Sequence, residues 1–136
     1  MLAAHWSGLQ YELAFSASAP RRLVLVAFEI TRYEAREAEG TVLGFIVVRT
    51  IDQDWEIENI VVDTNWRRHG IATQLLNEIR KSAESENAMK IFLEVRQSNT
   101  GARRLYENCG FQTCGYRGQY YINPSEDAIV YQFVLQ

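Results

Sequence analysis

Glu56-Ile57-Glu58-Asn59-Ile60-Val61-Val62-Asp63-Thr64-Asn65-Trp66-Arg67-Arg68-His69-Gly70-Ile71-Ala72-Thr73 begins the passage that decides the fold, and it runs on to Ala83. Its first part is an apolar run ending at Val62, followed by a polar break at Asp63 to Asn65. From Ile71 the apolar residues recur every four positions, at Leu75, Ile79 and Ala83, with Ala72 and Leu76 beside them. That spacing is one face of an amphipathic helix. The order is therefore strand, loop, helix. The first turn of the helix has backbone N–H groups with no partner inside the helix. Such a start holds an anion well, because the free donors and the positive end of the macrodipole point the same way. Gly70 permits close approach or a positive φ, and Arg67 or Arg68 adds charge. A phosphate cradle fits these residues. A plain surface loop fits them too, since the passage lacks the Gly-x-x-x-x-Gly-Lys-Ser/Thr pattern of a nucleoside-triphosphate loop.

Outward from this passage, the chain reads as a mixed sheet. Arg22 to Tyr33 and Thr41 to Ile51 are rich in Val, Leu, Ile and Phe around a polar connection, which predicts an antiparallel hairpin. Asp52-Gln53-Asp54 turns the chain into a third strand, Trp55 to Val62. After the long helix, Ile91 to Val95 reads as a short buried strand, and strand, helix, strand makes a parallel unit with a right-handed crossover. Ser98 or Asn99 caps a second helix through Ala102, Leu105 and Tyr106, and Gly110 ends it. Gln112 to about Tyr120 and Asp127 to Leu135 form a last hairpin around Asn123-Pro124-Ser125. Ahead of all this, Ser7 is placed to cap a short helix containing Leu9, Leu13 and Phe15, stopping before Pro20.

With 136 residues, of which 47% are hydrophobic, the chain is long enough for one domain with a substantial core. A net charge of −3 argues against holding nucleic acid by bulk charge. No apolar run approaches the ~20 residues of a membrane span. The first residues lack the basic start and apolar core of a secretory signal. The cysteines are Cys109 and Cys114 alone, too few for a disulfide framework or a metal site, so buried free thiols are expected. These features predict a cytoplasmic protein with no nucleic-acid or membrane partner.

Several linked motifs then carry a resemblance. Arg67-Arg68-His69-Gly70-Ile71-Ala72 after Ile60-Val61-Val62-Asp63 looks like the acetyl-CoA signature of the GCN5-related N-acetyltransferases, the GNAT family. Leu93-Glu94-Val95-Arg96-Gln97-Ser98-Asn99, Leu105-Tyr106-Glu107, Gly110-Phe111 and Tyr120-Tyr121 resemble its RimI-like branch, which acetylates ribosomal-protein amino termini. The resemblance covers roughly Trp6 to Phe133. It implies an α/β fold: a mostly antiparallel sheet with a central parallel pair splayed for the pantetheine arm of acetyl-CoA, and helices on both faces.

The site follows from the same resemblance. Ile60, Val61, Val62, Arg67, Arg68, His69, Gly70, Ile71, Ala72, Thr73 and Asn99 match positions that hold the cofactor, with the Val62 N–H as an oxyanion donor. Glu94 matches the proton acceptor and Tyr106 the proton donor to the coenzyme thiolate. Tyr120 and Tyr121 match the family's substrate hairpin and are expected, with Trp6, to wall a peptide groove; an interface or core position suits Trp6 equally. Read from the residues alone, Glu94 is a carboxylate in an apolar strand, costly unless partnered. It serves either as a general base with a raised pKa or as half of a Glu94–Arg96 pair at the strand's exposed end. Tyr106 is equally suited to a core position.

The acceptor amine can be argued from its acidity. A protein α-amine has a pKa of about 7.7–8.0, whereas a lysine amine near 10.4 is neutral only ~0.1% of the time around neutrality. One carboxylate suffices for the first. An amino-terminal amine, by resemblance the amino-terminal alanine of a small-subunit ribosomal protein, is therefore the expected acceptor. The alternatives are a lysine or small-molecule amine, or an acyl-CoA-binding module without turnover. Family members also begin with a strand and a helix that this chain lacks ahead of Trp6. That leaves an open edge near Leu23–Ile30, expected to pair with a second copy as a homodimer, with the chain's own first residues, or with residues upstream of Met1 in a longer chain.

Overall fold

The computed structural model describes residues 5–15, 21–33 and 39–135, with side chains for 21–29 and 40–135. Seven strands form one sheet in the order β1-β2-β3-β4-β5-β7-β6. They are β1 (His5–Phe15), β2 (Arg21–Tyr33), β3 (Glu39–Ile51), β4 (Asp54–Val62), β5 (Lys90–Arg96), β6 (Gln112–Tyr121) and β7 (Glu126–Val134). Two helices complete it, α1 (Ile71–Ser85) and α2 (Thr100–Asn108). Every neighbouring pair is antiparallel except β4 and β5, which α1 joins as a parallel crossover.

The predicted first helix is a strand. β1 pairs antiparallel with β2 from Phe15 opposite Leu23 to His5 opposite Tyr33. The reason is legible afterwards: Leu9, Tyr11, Leu13 and Phe15 alternate with polar or small residues at a period of two. In register, Tyr11, Leu13 and Phe15 stand opposite the buried Ala27, Leu25 and Leu23. The edge beside Leu23–Ile30 is therefore occupied by the chain's own first residues. Pairing with the chain's own first residues is the alternative that the structure shows for that edge.

The core lies on one face of the sheet. Leu23, Leu25, Ile46, Val48, Trp55, Ile57, Ile91, Leu93 and Tyr131 are buried, and the register places them on the same side. The expected apolar stripe of α1, Ile71, Leu75, Ile79 and Ala83, is buried in the same cluster. Tyr106 of α2 packs its ring 6.1 Å from Tyr131, so α2 covers that face as well. The resemblance implied helices on both faces. Among the described residues both helices sit on this inner face, and the opposite, outer face carries Phe92, Glu94 and Arg96 of β5.

The two cysteines depart from expectation. Cys109 is half-buried and Cys114 exposed, both as free thiols. Cys114 lies on β6, which is exposed along nearly its whole length as the sheet's far edge.

Candidate active site

Two neighbouring strands part at the centre of the sheet. β4 and β5 pair at Asp54–Lys90, Trp55–Ile91 and Glu56–Phe92, and no further. Beyond that point β4 stays with β3 up to Val62, and β5 stays with β7 up to Arg96. The parting has a local cause. Val47 of β3 opposes Asn59 and Val48 opposes Ile57, which leaves Glu58 as an extra residue in β4. A bulge bends the strand that carries it. Arg22 holds the bulge from β2 through a two-pronged contact, Nε to Oε1 at 2.6 Å and Nη2 to Oε2 at 3.1 Å. The guanidinium bonded to Glu58 holds that carboxyl below its ordinary pKa.

The splay leaves backbone groups without strand partners. The Asp63 N–H donates to Leu43 on β3 at 2.7 Å. Direction alternates along a strand, so the Val62 and Ile60 N–H groups point into the gap. Gly44 is required here by contact. A Cβ on it would lie 2.6 Å from the Val61 carbonyl oxygen, so a side chain would push the end of β4 out of place.

On the inner face the splay opens into a cleft of about 1050 Å³ between the start of α1 and α2. It is lined by Ile60 to Val62, Arg67, Arg68, Gly70 to Thr73, Asn99 and Tyr106, all residues for which the resemblance implied a site role. His69 is not among the lining residues. Its ring lies against Trp66 at 5.4 Å, and Trp66 faces the cleft in its place. Gly70 has φ of +78° and no atom within 4 Å of where a Cβ would stand, so the helix start is open to the cleft. Arg104 also lines it. Among the described residues three arginines and no carboxylate therefore border this cleft, in a chain with an excess of acids. A polyanion with an extended amide-bearing arm fits both features: the guanidinium groups and helix start suit its phosphates, and the free strand donors suit its amides.

A smaller space of about 280 Å³ runs through the splay, lined by Glu94 and Arg96 from the outer face and by Asn99, Ala102 and Tyr106 from the inner one. Asn99 caps α2, its side chain accepting from the Ala102 N–H at 3.2 Å. Tyr106 is buried, and that burial, with the nearby Tyr121 and Cys109, pushes its hydroxyl pKa up to about 12. It remains a proton donor at any physiological pH.

The partner of Glu94 is not Arg96. Arg117 of β6 reaches it, Nε to Oε1 at 2.9 Å. Arg96 turns to Glu126 at 3.4 Å and stands over the Tyr121 ring at 4.3 Å. The register puts Arg117 on the same face as Glu94 and Arg96: Arg96, Ala128 and Arg117 lie abreast across β5, β7 and β6, one row along from Glu94, Val130 and Gly115, so Arg117 reaches Glu94 diagonally. The Glu94 carboxylate beside the Tyr120 hydroxyl raises the tyrosine's pKa. Tyr121 lines the splay, so the expected tyrosine pair does sit beside Glu94. Trp6 is different: it lies in β1 opposite Arg32, with β2 and β3 between it and β4, and its side chain is outside the described residues. Trp66, Arg104 and Arg117 were missed by sequence reasoning. For Arg117 no local signal exists, since only the β7–β6 register brings it to Glu94.

The model of the Acetyltransferase (GNAT) family matches residues 5–111. The chain is 32% identical over 95 residues to the [ribosomal protein bS18]-alanine N-acetyltransferase of Salmonella typhimurium, covering 68% of this chain and 64% of that protein. It is 33% identical over 100 residues to the N-alpha-acetyltransferase RimI of Mycobacterium tuberculosis, covering 71% and 61%. The chain thus spans a little under two thirds of the length of these relatives. Among solved structures, the ribosomal-protein-S18-alanine N-acetyltransferase of Escherichia coli superposes with a TM-score of 0.66 at 26% identity, over 82% of this chain and 70% of that one.

Proposed function

Because this chain belongs to the GNAT acetyltransferase family, we propose that it transfers an acetyl group from acetyl-CoA to a protein amino terminus, with the amino-terminal alanine of a small-subunit ribosomal protein as the leading acceptor. The observation that carries the reading is that Glu94 and Tyr106 reach the same gap from opposite faces of the sheet. A base on the acceptor side and an acid on the cofactor side is the arrangement that amine acylation by a thioester needs.

Acetyl-CoA supplies the activated acyl group. The Arg67 to Thr73 segment, with Arg104 and Asn99 across the cleft, binds its phosphates and arm. The Val62 N–H stabilises negative charge developing on the acyl oxygen. Glu94 accepts the proton that the attacking amine sheds, directly or through one water. Tyr106 gives its hydroxyl proton to the departing sulfur, and burial keeps that proton in place until it is needed. Tyr120 and Tyr121 wall the outer-face approach to Glu94. The relatives named for bS18-alanine acetylation support the choice of acceptor. No helix among the described residues is long and apolar enough to cross a membrane, and a cytoplasmic site of action belongs to this reading.

The test is thiol release from acetyl-CoA with short peptides that differ in residue one and in whether the α-amine or a lysine amine is blocked. Turnover that disappears when the α-amine is blocked is the expected result. Turnover that survives α-blocking and needs a free lysine would assign a different acceptor, and no thiol release with any amine would refute the enzymatic reading.

A further inference from the structure

Glu94 does not wait alone for its substrate. Its carboxylate is paired with Arg117 at 2.9 Å, from the exposed edge strand β6, and lies close enough to Tyr120 of the same strand to raise that hydroxyl's pKa. An acceptor that arrives as an ammonium ion must come to this carboxylate too, and two cations cannot share it without mutual repulsion. The pair is uneven: the Arg117 side chain is 58% exposed, Glu94 only 18%. The guanidinium can swing into water at little cost, while the carboxylate stays in the splay. Arg117 also stands over the Tyr120 ring at 5.4 Å, an aromatic surface that can keep the cation beside the site after it lets go of Glu94.

We propose that Arg117 is the displaceable counter-ion of Glu94, holding the place that the acceptor's ammonium takes, so that acceptor binding is an exchange of one cation for another. This rests on the assignment of Glu94 as proton acceptor. The exchange gives the carboxylate a cationic partner before substrate arrives, and it favours acceptors that bring their own positive charge to the gap. Arg117 is thus a positioning residue for the acceptor and leaves the cofactor cleft untouched, since it does not line that cleft.

Steady-state thiol release with a free-amine peptide tests this in Arg117→Ala, Arg117→Gln and Arg117→Lys. Removing the competing cation should lower the acceptor KM by about two- to fivefold in the first two, the ratio set by an exposed ion pair. The KM for acetyl-CoA should stay at the parent value, and Arg117→Lys should restore the parent acceptor KM. Guanidinium chloride at millimolar level should compete with the peptide more strongly in Arg117→Ala than in the parent. Arg117→Gln guards against misfolding of the alanine variant. An acceptor KM that is unchanged or raised in a folded, active Arg117→Ala or Arg117→Gln overturns this inference alone. A parent inactive with every amine overturns it together with the proposed function.

Discussion

Arg117 and Tyr120 both meet Glu94 although they stand three residues apart on one strand. In a regular strand an odd separation puts two side chains on opposite faces. Here the pairing of β6 with β7 is interrupted between Arg117 and Tyr121, and Gln119 takes φ of +51°. The Asp127 carboxylate secures the irregular segment by accepting the Gln119 N–H at 2.8 Å. Asp127→Ala should therefore loosen it. We expect the Gln119 amide to exchange with solvent at least about tenfold faster, equivalent to one lost hydrogen bond of ~1.4 kcal/mol, and the acceptor KM to change while the acetyl-CoA KM does not.

Glu94→Gln removes the proposed proton acceptor and keeps the shape. Turnover should fall by roughly 10²–10⁴-fold, the usual worth of general-base catalysis. The loss should be largest near pH 6, where an α-amine with a pKa of about 7.7–8.0 is mostly protonated. Parent-like rates across the pH range would remove Glu94 from the mechanism.

Gly44→Ala tests the end of β4. The added Cβ meets backbone, the Val61 carbonyl oxygen at 2.6 Å, and not a yielding side chain. A destabilisation of about 1–3 kcal/mol is expected from overpacking. Turnover should fall as well, because Val62 carries the proposed oxyanion donor.

The Arg22–Glu58 contact can be probed through acid stability. The folded pKa of Glu58 lies below its ordinary value of 4.5, so the contact's stabilisation is present above that pH and is lost as the pH falls through the lower folded value. Glu58→Gln should melt earlier than the parent at pH 7, by no more than ~1 kcal/mol for a partly exposed pair. The difference should shrink steadily on acidification below about pH 4.5.

Tyr106 makes the opposite test at high pH. Its folded pKa is raised from 10.0 to about 12, so between those values the unfolded chain has lost a proton that the folded chain retains. Stability must then decline as pH rises above 10, with a contribution from this residue of up to roughly 2–3 kcal/mol at ~1.4 kcal/mol per pKa unit. Tyr106→Phe should show a shallower decline in denaturant midpoints between pH 10 and 12, and slower thiol release near neutrality.

What the sequence by itself determined was everything set by spacing along the chain. The four-residue recurrence from Ile71 to Ala83, the β-branched runs of β2 to β5, the Asn99 cap and the glycine at position 110 each depend on neighbours a few residues away. The structure has them where the spacing puts them. The same holds for the segment 62–73, which is a strand end, a glycine and a helix start in one continuous stretch. The tertiary structure decided what depends on strands meeting across the sheet. β1 is a strand because Tyr11, Leu13 and Phe15 find Ala27, Leu25 and Leu23 opposite them, whereas the local pattern alone admitted a helix. The bulge at Glu58, and with it the splay, appears only when β3 is laid against β4. Glu94 takes Arg117 and not Arg96 because the β5–β7–β6 register brings a residue 23 positions away to its carboxylate. A side chain two places along the same strand, Arg96, is drawn instead to Glu126 on β7. Local propensity is a short-range energy, and hydrogen-bonded register and charge pairing across a sheet are long-range ones, so only the folded chain could choose between them.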